Sequence, residues 1–371
     1  MTDHILKDKE ILCEKTIFCI AAFVAMLMTP AAHVFASELN FAAKAQMPDN
    51  QVNKGVSYFD IKMDQGAKQA LHVDLRNDTE KEVAVDVGIA SATTNINGVV
   101  EYGQNAIKPA KSLAFNMKDY VKTPAQVKIP AKGSTVLNLD VTMPSKPLHG
   151  VMAGGITLKE HQPGDQAAKD AGKGVAINNR FSYVIGLLMQ QSTDHVAAHV
   201  KLNDVKPSQI NYRNVILASM ENDAATFVNK VAVDAKITAK GSDKSVYQVA
   251  KEGLQMAPDT TFDFPIALEG KALKPGTYVA HLEVYGNQQA DGGMTRKTAD
   301  GKQHYHDHWT LTKQFTITDK VAKNLNQKDV SIKKDNSWQL YALIVVVAVL
   351  IMIVALLIVI VFKRKKKEQA S

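Results

Sequence analysis

Cysteine is almost missing from this chain: there are two, Cys13 and Cys19, and both precede Ser37. From Ser37 onward a disulfide framework, a thiolate metal site and a cysteine nucleophile are therefore excluded. Neither cysteine follows the apolar run 17–28, so a lipoprotein-type cleavage signal is lacking as well. Catalytic motifs are equally scarce. No Gly-x-Ser-x-Gly elbow, His-Glu-x-x-His pair or phosphate-cradling glycine loop occurs. Asp and Glu are scattered without a spacing that singles out an acid–base pair. No catalytic, cofactor-binding or metal-ligating residue is assigned, and the chain is read as a non-enzyme. Aromatics are 6% of residues and do not interleave with a basic stripe, which argues against nucleic acid as a partner. The formal net charge is +7, but the basic run 363–367 followed by Glu368 carries most of it.

What is present points outward from the cell. Lys7, Lys9 and Lys15 precede the apolar run 17–28, and Val34-Phe35-Ala36 ahead of Ser37 is a small-residue cleavage pattern. Residues 1–36 are expected to be a signal peptide cut between Ala36 and Ser37. The acids Asp3, Asp8, Glu10 and Glu14 are unusual there; the alternative is a retained anchor, for which the run is short. Near the other end, 340–362 holds no charge, proline or glycine. At ~1.5 Å per residue it would span about 35 Å, enough for a hydrocarbon core of roughly 30 Å. Trp338 and Tyr341 sit where interfacial aromatics sit, and the basic run follows. The expectation is a single-pass membrane protein, its N-terminal ectodomain outside and its tail 363–371 cytoplasmic. No LPxTG-type sorting signal precedes the helix.

Between these ends the chain alternates. Leu71, Val73 and Leu75 fall on one face against His72 and Asp74; Val83, Val85, Val87 and Ile89 repeat the pattern, as do Leu137, Leu139, Val141 and Met143. Period two marks half-buried antiparallel strands. Asn77-Asp78, Asn97-Gly98 and Lys132-Gly133 supply the turns. Residues 37–160 are expected to form a first domain. The polar, Gly- and Ala-rich stretch 161–176 is then either a linker or the tip of one long hairpin, because 150–158 and 181–189 both read as central strands. A second domain over 177–318 has strand candidates at 212–220, 227–238, 247–256, 261–268, 277–285 and 309–318, with a long polar loop between Tyr285 and Trp309. Residues 319–339 are polar and Lys-rich and read as a stalk. The fold class expected is all-β: two tandem immunoglobulin-like β-sandwich domains, a polar stalk and one C-terminal transmembrane helix.

Three groups of residues invite a functional interpretation beside a plainer one. His304, His306 and His308 would share one face if they lay in a strand, an arrangement that suits zinc or copper; the plainer account is a solvated loop. Gly150, Gly154 and Gly155 would let a glycan approach bare backbone, although glycine inside a strand more often marks a bulge or tight packing. Trp309-Thr310-Leu311 and Trp338-Gln339-Leu340 are both literally W-x-L, yet a core strand and a helix entry account for them. His195 and His199 read as surface residues.

The order of several short motifs carries a resemblance. Gln46-Met47-Pro48-Asp49-Asn50-Gln51, Tyr58-Phe59-Asp60, Arg76-Asn77-Asp78, Asn95-Ile96-Asn97-Gly98 with Tyr102, and Met143-Pro144 before Gly154-Gly155-Ile156 resemble the first domain of the WxL-interacting proteins of Gram-positive surfaces. Asn178-Asn179-Arg180-Phe181-Ser182-Tyr183, Met256-Ala257-Pro258, Leu273-Lys274-Pro275-Gly276-Thr277-Tyr278 and Phe315-Thr316-Ile317 resemble that family's second domain. The resemblance implies a first domain that binds peptidoglycan or another wall polymer and a second that contacts host extracellular protein, with a WxL-domain surface protein as partner. It implies no particular contact residues. Two other classes stay open: an assembly chaperone that adds a strand to exported subunits, and a wall-modifying enzyme.

Overall fold

Alternation of apolar and polar side chains makes each strand two-faced, and the sheets bury the apolar faces against one another. The computed structural model describes residues 39–161, 181–332 and 343–356. The expected signal peptide with its Ala36/Ser37 junction, the stretch 162–176, the segment 333–339 and the tail 363–371 lie outside the described residues. Strands β1 to β19 all belong to one unit, Phe41–His161 with Ser182–Ser371.

The first sandwich is built from β1 (Ala42–Gln46), β2 (Phe59–Lys62), β3 (Lys68–Arg76), β4 (Val83–Ser91), β5 (Thr93–Thr94), β6 (Val100–Glu101), a short helix α1 (Met117–Tyr120), β7 (Val121–Lys122), β8 (Gln126–Ile129), β9 (Ser134–Thr142), β10 (Val151–Glu160) and β11 (Ser182–Gln190). One sheet has the order β1-β3-β9-β7 and the other β2-β11-β10-β4-β8; β5 and β6 form a ribbon. Leu71, Val73, Leu75, Leu137, Leu139 and Val141 from one sheet meet Phe59, Ile61, Val85, Ile156, Leu158 and Leu187 from the other, all buried. Strand β11 pairs antiparallel with β10 from Lys159↔Ser182 to Val151↔Gln190. The two central strands on either side of 162–180 are thus direct neighbours.

The second sandwich takes β12 (Val200–Ile210), β13 (Arg213–Asn222), β14 (Val228–Ala239), β15 (Ser245–Met256), β16 (Thr260–Ala267), β17 (Gly276–Gln288), β18 (Met294–Thr298) and β19 (Gly301–Ile317). Its sheets are β12-β13-β16 and β15-β14-β17-β19-β18. The segment expected as a long polar loop is largely strand: β17 runs on to Gln288, β18 follows, and β19 begins at Gly301. Its polarity hid the pairing because Arg296 anchors it through charge. The guanidinium donates to both carboxylate oxygens of Asp234 at 2.7 and 2.8 Å, to Glu252 at 3.0 Å and to Gln303 at 2.9 Å.

Two further differences concern the C-terminal part. The expected stalk holds a helix, α2 (Asp319–Lys328), capped by Thr318. Ala322 is buried against the second core and Leu325 packs on it. Asn326 bonds the backbone of Leu273 in both directions at 2.9 Å. The Asp329 carboxylate accepts from Asn214 N at 2.7 Å. Burial opposes ionisation of Asp329, but hydrogen bonds from Ser331 and backbone N–H groups hold its pKa below the usual value. Ten residues give too short a window for a helical period to stand out among lysines. The second difference is a correction. The expected membrane helix over 340–362, and with it the single-pass membrane localisation, is overturned: among the described residues no helix is long and apolar enough to cross a membrane. The helix described there covers 343–356.

The sandwiches meet through a seam of small residues. Ala92, Val100, Ala153 and Ala257 are buried together, with Tyr102 and Phe227 packed on them. The Thr94 hydroxyl accepts from Ala257 N at 3.0 Å and lies 2.8 Å from Thr260 Oγ1. Backbone bonds Gln255 N to Gly98 O and Val151 N to Ala225 O cross the same seam.

Candidate functional site

Two tyrosines, from the loop before β2 and from the start of β11, and a third after β6 converge on one groove of the first sandwich. Tyr58, Tyr102 and Tyr183 line it together with Lys44, Ala45, Met47 and 184–186, around a cavity of about 650 Å³. All three rings are half-buried. Their positions follow from specific packing. Tyr183 meets Phe41 edge-on at 5.4 Å between ring centres. Tyr58 lies over Gly186, where a Cβ would come within 3.4 Å of it. Tyr102 is set by its carbonyl, which approaches Gly155 so closely that a Cβ there would stand 2.7 Å away. Burial, and then the neighbouring Tyr58, push the Tyr102 phenol above its ordinary pKa. The Tyr102 hydroxyl therefore stays protonated at neutral pH and can donate as well as accept.

The loop that carries Tyr58 is held by one buried amide. Gln51 donates to the carbonyls of Asn53 and Tyr58 at 3.1 and 2.8 Å and accepts from Asp60 N at 3.1 Å. Asp60 takes a hydrogen bond from Gln190 at 3.0 Å. Burial raises the Asp60 pKa against the opposing pull of its hydrogen bonds. On the far side of this loop Asn50 and Gln69 exchange amide hydrogen bonds at 2.8 and 3.0 Å. They border a second, more open depression with Lys62, Lys68 and Thr193. Aromatic faces thus sit beside amide donors and acceptors, a combination suited to an uncharged polar polymer.

The residues singled out from sequence end up elsewhere. His304, His306 and His308 alternate along β19, with Tyr305 buried between them. His308 lies 2.6 Å from Glu283 and stacks on Tyr285 at 4.5 Å; His306 lies 3.1 Å from Gln289 and 3.4 Å from Asp291. Among the described residues no group of three ligating side chains could hold a metal. The glycines serve packing: a Cβ on Gly154 would stand 2.3 Å from Ala90 O, and one on Gly150 2.1 Å from Ala225 O. Trp309 and Leu311 both pack against the second core. His199 pairs with Asp223 at 2.5 Å. Sequence reasoning missed the groove because its tyrosines are up to 125 positions apart. The only signal was that Tyr58, Tyr102 and Tyr183 each belong to a motif quoted for the resemblance.

A polar cleft of about 260 Å³ runs along the seam, lined by Ser91, Asn105, Asn116, Lys108 and Asp259. Asp259 has its pKa pushed up to about 6 by burial and by the nearby Asp223 and Glu221.

No curated protein matches the chain. Among solved structures it is similar to the E. coli chaperone DraB, at 15% identity and a TM-score of 0.27 over 75% of this chain and 95% of that one. It is likewise similar to the Pseudomonas aeruginosa CupB2 chaperone, at 12% identity and a TM-score of 0.24 over 66% and 91%. Likeness at that level bears on neither ligand nor partner. The family comparison is informative. Residues 41–160 match the WxL Interacting Protein peptidoglycan binding domain. Residues 172–327 match the WxL Interacting Protein host binding domain. Strand β11 falls in the second match although it pairs within the first sandwich. Both matches are to binding domains, in the order expected, and the chain belongs to the WxL-interacting protein family.

Proposed function

We propose that this is a non-catalytic cell-surface binding protein whose first sandwich holds peptidoglycan in the Tyr58–Tyr102–Tyr183 groove. Its second sandwich offers a surface to protein partners, a WxL-domain surface protein and host extracellular protein. The observation that carries the first part is the convergence of three half-exposed tyrosines, two of them inside the stretch that matches a peptidoglycan binding domain. Tyrosine gives a large rigid face with a polar tip, so it can cover a sugar ring and bond its hydroxyls at small entropic cost. Export would follow removal of 1–36 between Ala36 and Ser37, which N-terminal sequencing of the mature protein checks.

The test is sedimentation of the full chain with purified peptidoglycan at low and high salt. Binding should survive salt, since stacking and hydrogen bonds are screened far less than exposed charge pairs. Tyr58→Ala should cost about 2 kcal/mol, roughly 30-fold in affinity, as for an anchoring aromatic. Undiminished binding by Tyr58→Ala moves the wall contact away from the groove.

A further inference from the structure

The groove has a second property that stacking on sugars does not use: its walls are open strand edges. Strand β2 pairs with β11 in parallel only over 187–190. Among the described strands none pairs with 182–186 on that side, so the first half of β11 presents uncovered main-chain groups. On the opposite wall, among the described strands, β1 pairs with β3 alone, so no described strand takes its other edge. Both edges border the same cavity, since Ala43 to Ala45 of β1 and Tyr183 to Gly186 of β11 line it. Natural sheets usually cover or charge such an edge. Here it carries Tyr183, Val184, Ile185 and Gly186, with no charge, and Val184 is 44% exposed.

The uncovered edge suits an extended peptide. Four residues at roughly 3.3 Å each give about 13 Å, the reach of a tetrapeptide. Main-chain hydrogen bonds to a strand edge need no particular side chain, so they tolerate the unusual residues of a wall peptide. Lys44 supplies one cation at the lip of the groove, and no ion pair engages it among the described residues. Free carboxylates on the peptide would meet it.

We propose that the groove reads the wall polymer through its stem peptide, laid in extended form along the open edge of β11 with a carboxylate at Lys44 while the tyrosines flank it. This rests on the peptidoglycan reading above and says which part of the polymer is recognised.

The full chain is tested against three probes: intact purified peptidoglycan, the same glycan strands after an amidase has removed the stems, and a soluble stem tetrapeptide as competitor. Stripping the stems is expected to lower binding at least tenfold, and the tetrapeptide to compete with intact wall. Lys44→Gln, an exposed change that leaves the fold alone, should weaken capture several-fold. Val184→Pro, which removes one edge N–H, should abolish competition by the tetrapeptide; its folding is checked by the thermal transition. Equal binding to stripped and intact strands overturns the stem-peptide inference and leaves the peptidoglycan reading standing. Equal competition by an unrelated all-L tetrapeptide overturns it in favour of a protein strand as occupant. Failure to bind either wall preparation overturns both.

Discussion

Replacing Thr94 by valine tests whether the seam holds the two sandwiches together. The change keeps side-chain shape and removes one hydroxyl that is 1% exposed along with its residue. That hydroxyl accepts the amide hydrogen of Ala257, itself fully buried, and lies 2.8 Å from Thr260 Oγ1. Thr260 keeps a partner, because it also donates to Ala257 O at 2.8 Å. The Ala257 N–H does not, and no water can reach it without opening the seam. An orphaned buried donor costs about 1–3 kcal/mol, against ~1 for an ordinary hydrogen bond. A loss of about 2 kcal/mol should lower the melting temperature by roughly 3–4 °C if the tandem melts as one body. The assay is urea and thermal unfolding of the full chain, followed by circular dichroism and tryptophan fluorescence. Thr310→Val is the control, since Thr310 Oγ1 bonds Glu283 on the exposed face at 2.8 Å and should cost under ~0.5 kcal/mol. If Thr94→Val is as stable as that control, the Thr94–Ala257–Thr260 contacts do not secure the seam.

Arg296 is 7% exposed as a side chain and forks onto Asp234; Arg296→Lys, which cannot fork, should cost about 1–2 kcal/mol after allowance for the partly exposed partners and should speed amide exchange in β18. An Arg296→Lys protein with unchanged exchange there would show that the hairpin does not need the charge. Asp259 is protonated in the folded chain up to about pH 6 and in the unfolded chain only to its ordinary value near 3.8. The native state thus holds the extra proton between these values, and stability should fall as pH rises through that window. Asp259→Asn should flatten this part of the curve and raise stability above pH 6, measured by unfolding at pH 4, 5, 6 and 7. Gly154→Ala should cost about 2–3 kcal/mol, because its Cβ would stand 2.3 Å from the backbone oxygen of Ala90; a neutral result would mean that β4 and β10 can separate freely.

The local pattern made the sheets legible. Leu71, Val73 and Leu75 had to face one way because side chains alternate along a strand, and the three alternating runs lie on β3, β4 and β9. The hairpin of β18 and β19 was not legible, since its strands are polar and its anchor is Arg296 reaching Asp234, 62 positions away. Helix α2 was hidden for a similar reason: Asn326 and Asp329 fasten it to β13 and to the loop before β17, contacts that no window of neighbouring residues contains.

Sequence by itself determined the strand-built class, the order of two binding domains and the lack of any thiol chemistry after Ser37. These depend on periodicity, motif order and composition, which are properties of the chain as written. Only the tertiary structure decided that β11 completes the first sandwich, that the glycines at 150, 154 and 155 serve packing, and that Tyr58, Tyr102 and Tyr183 share one groove. Each of those is a meeting of segments far apart in sequence. Which distant segments meet is set by how two sheets bury their apolar faces together, and a one-dimensional pattern does not contain that choice.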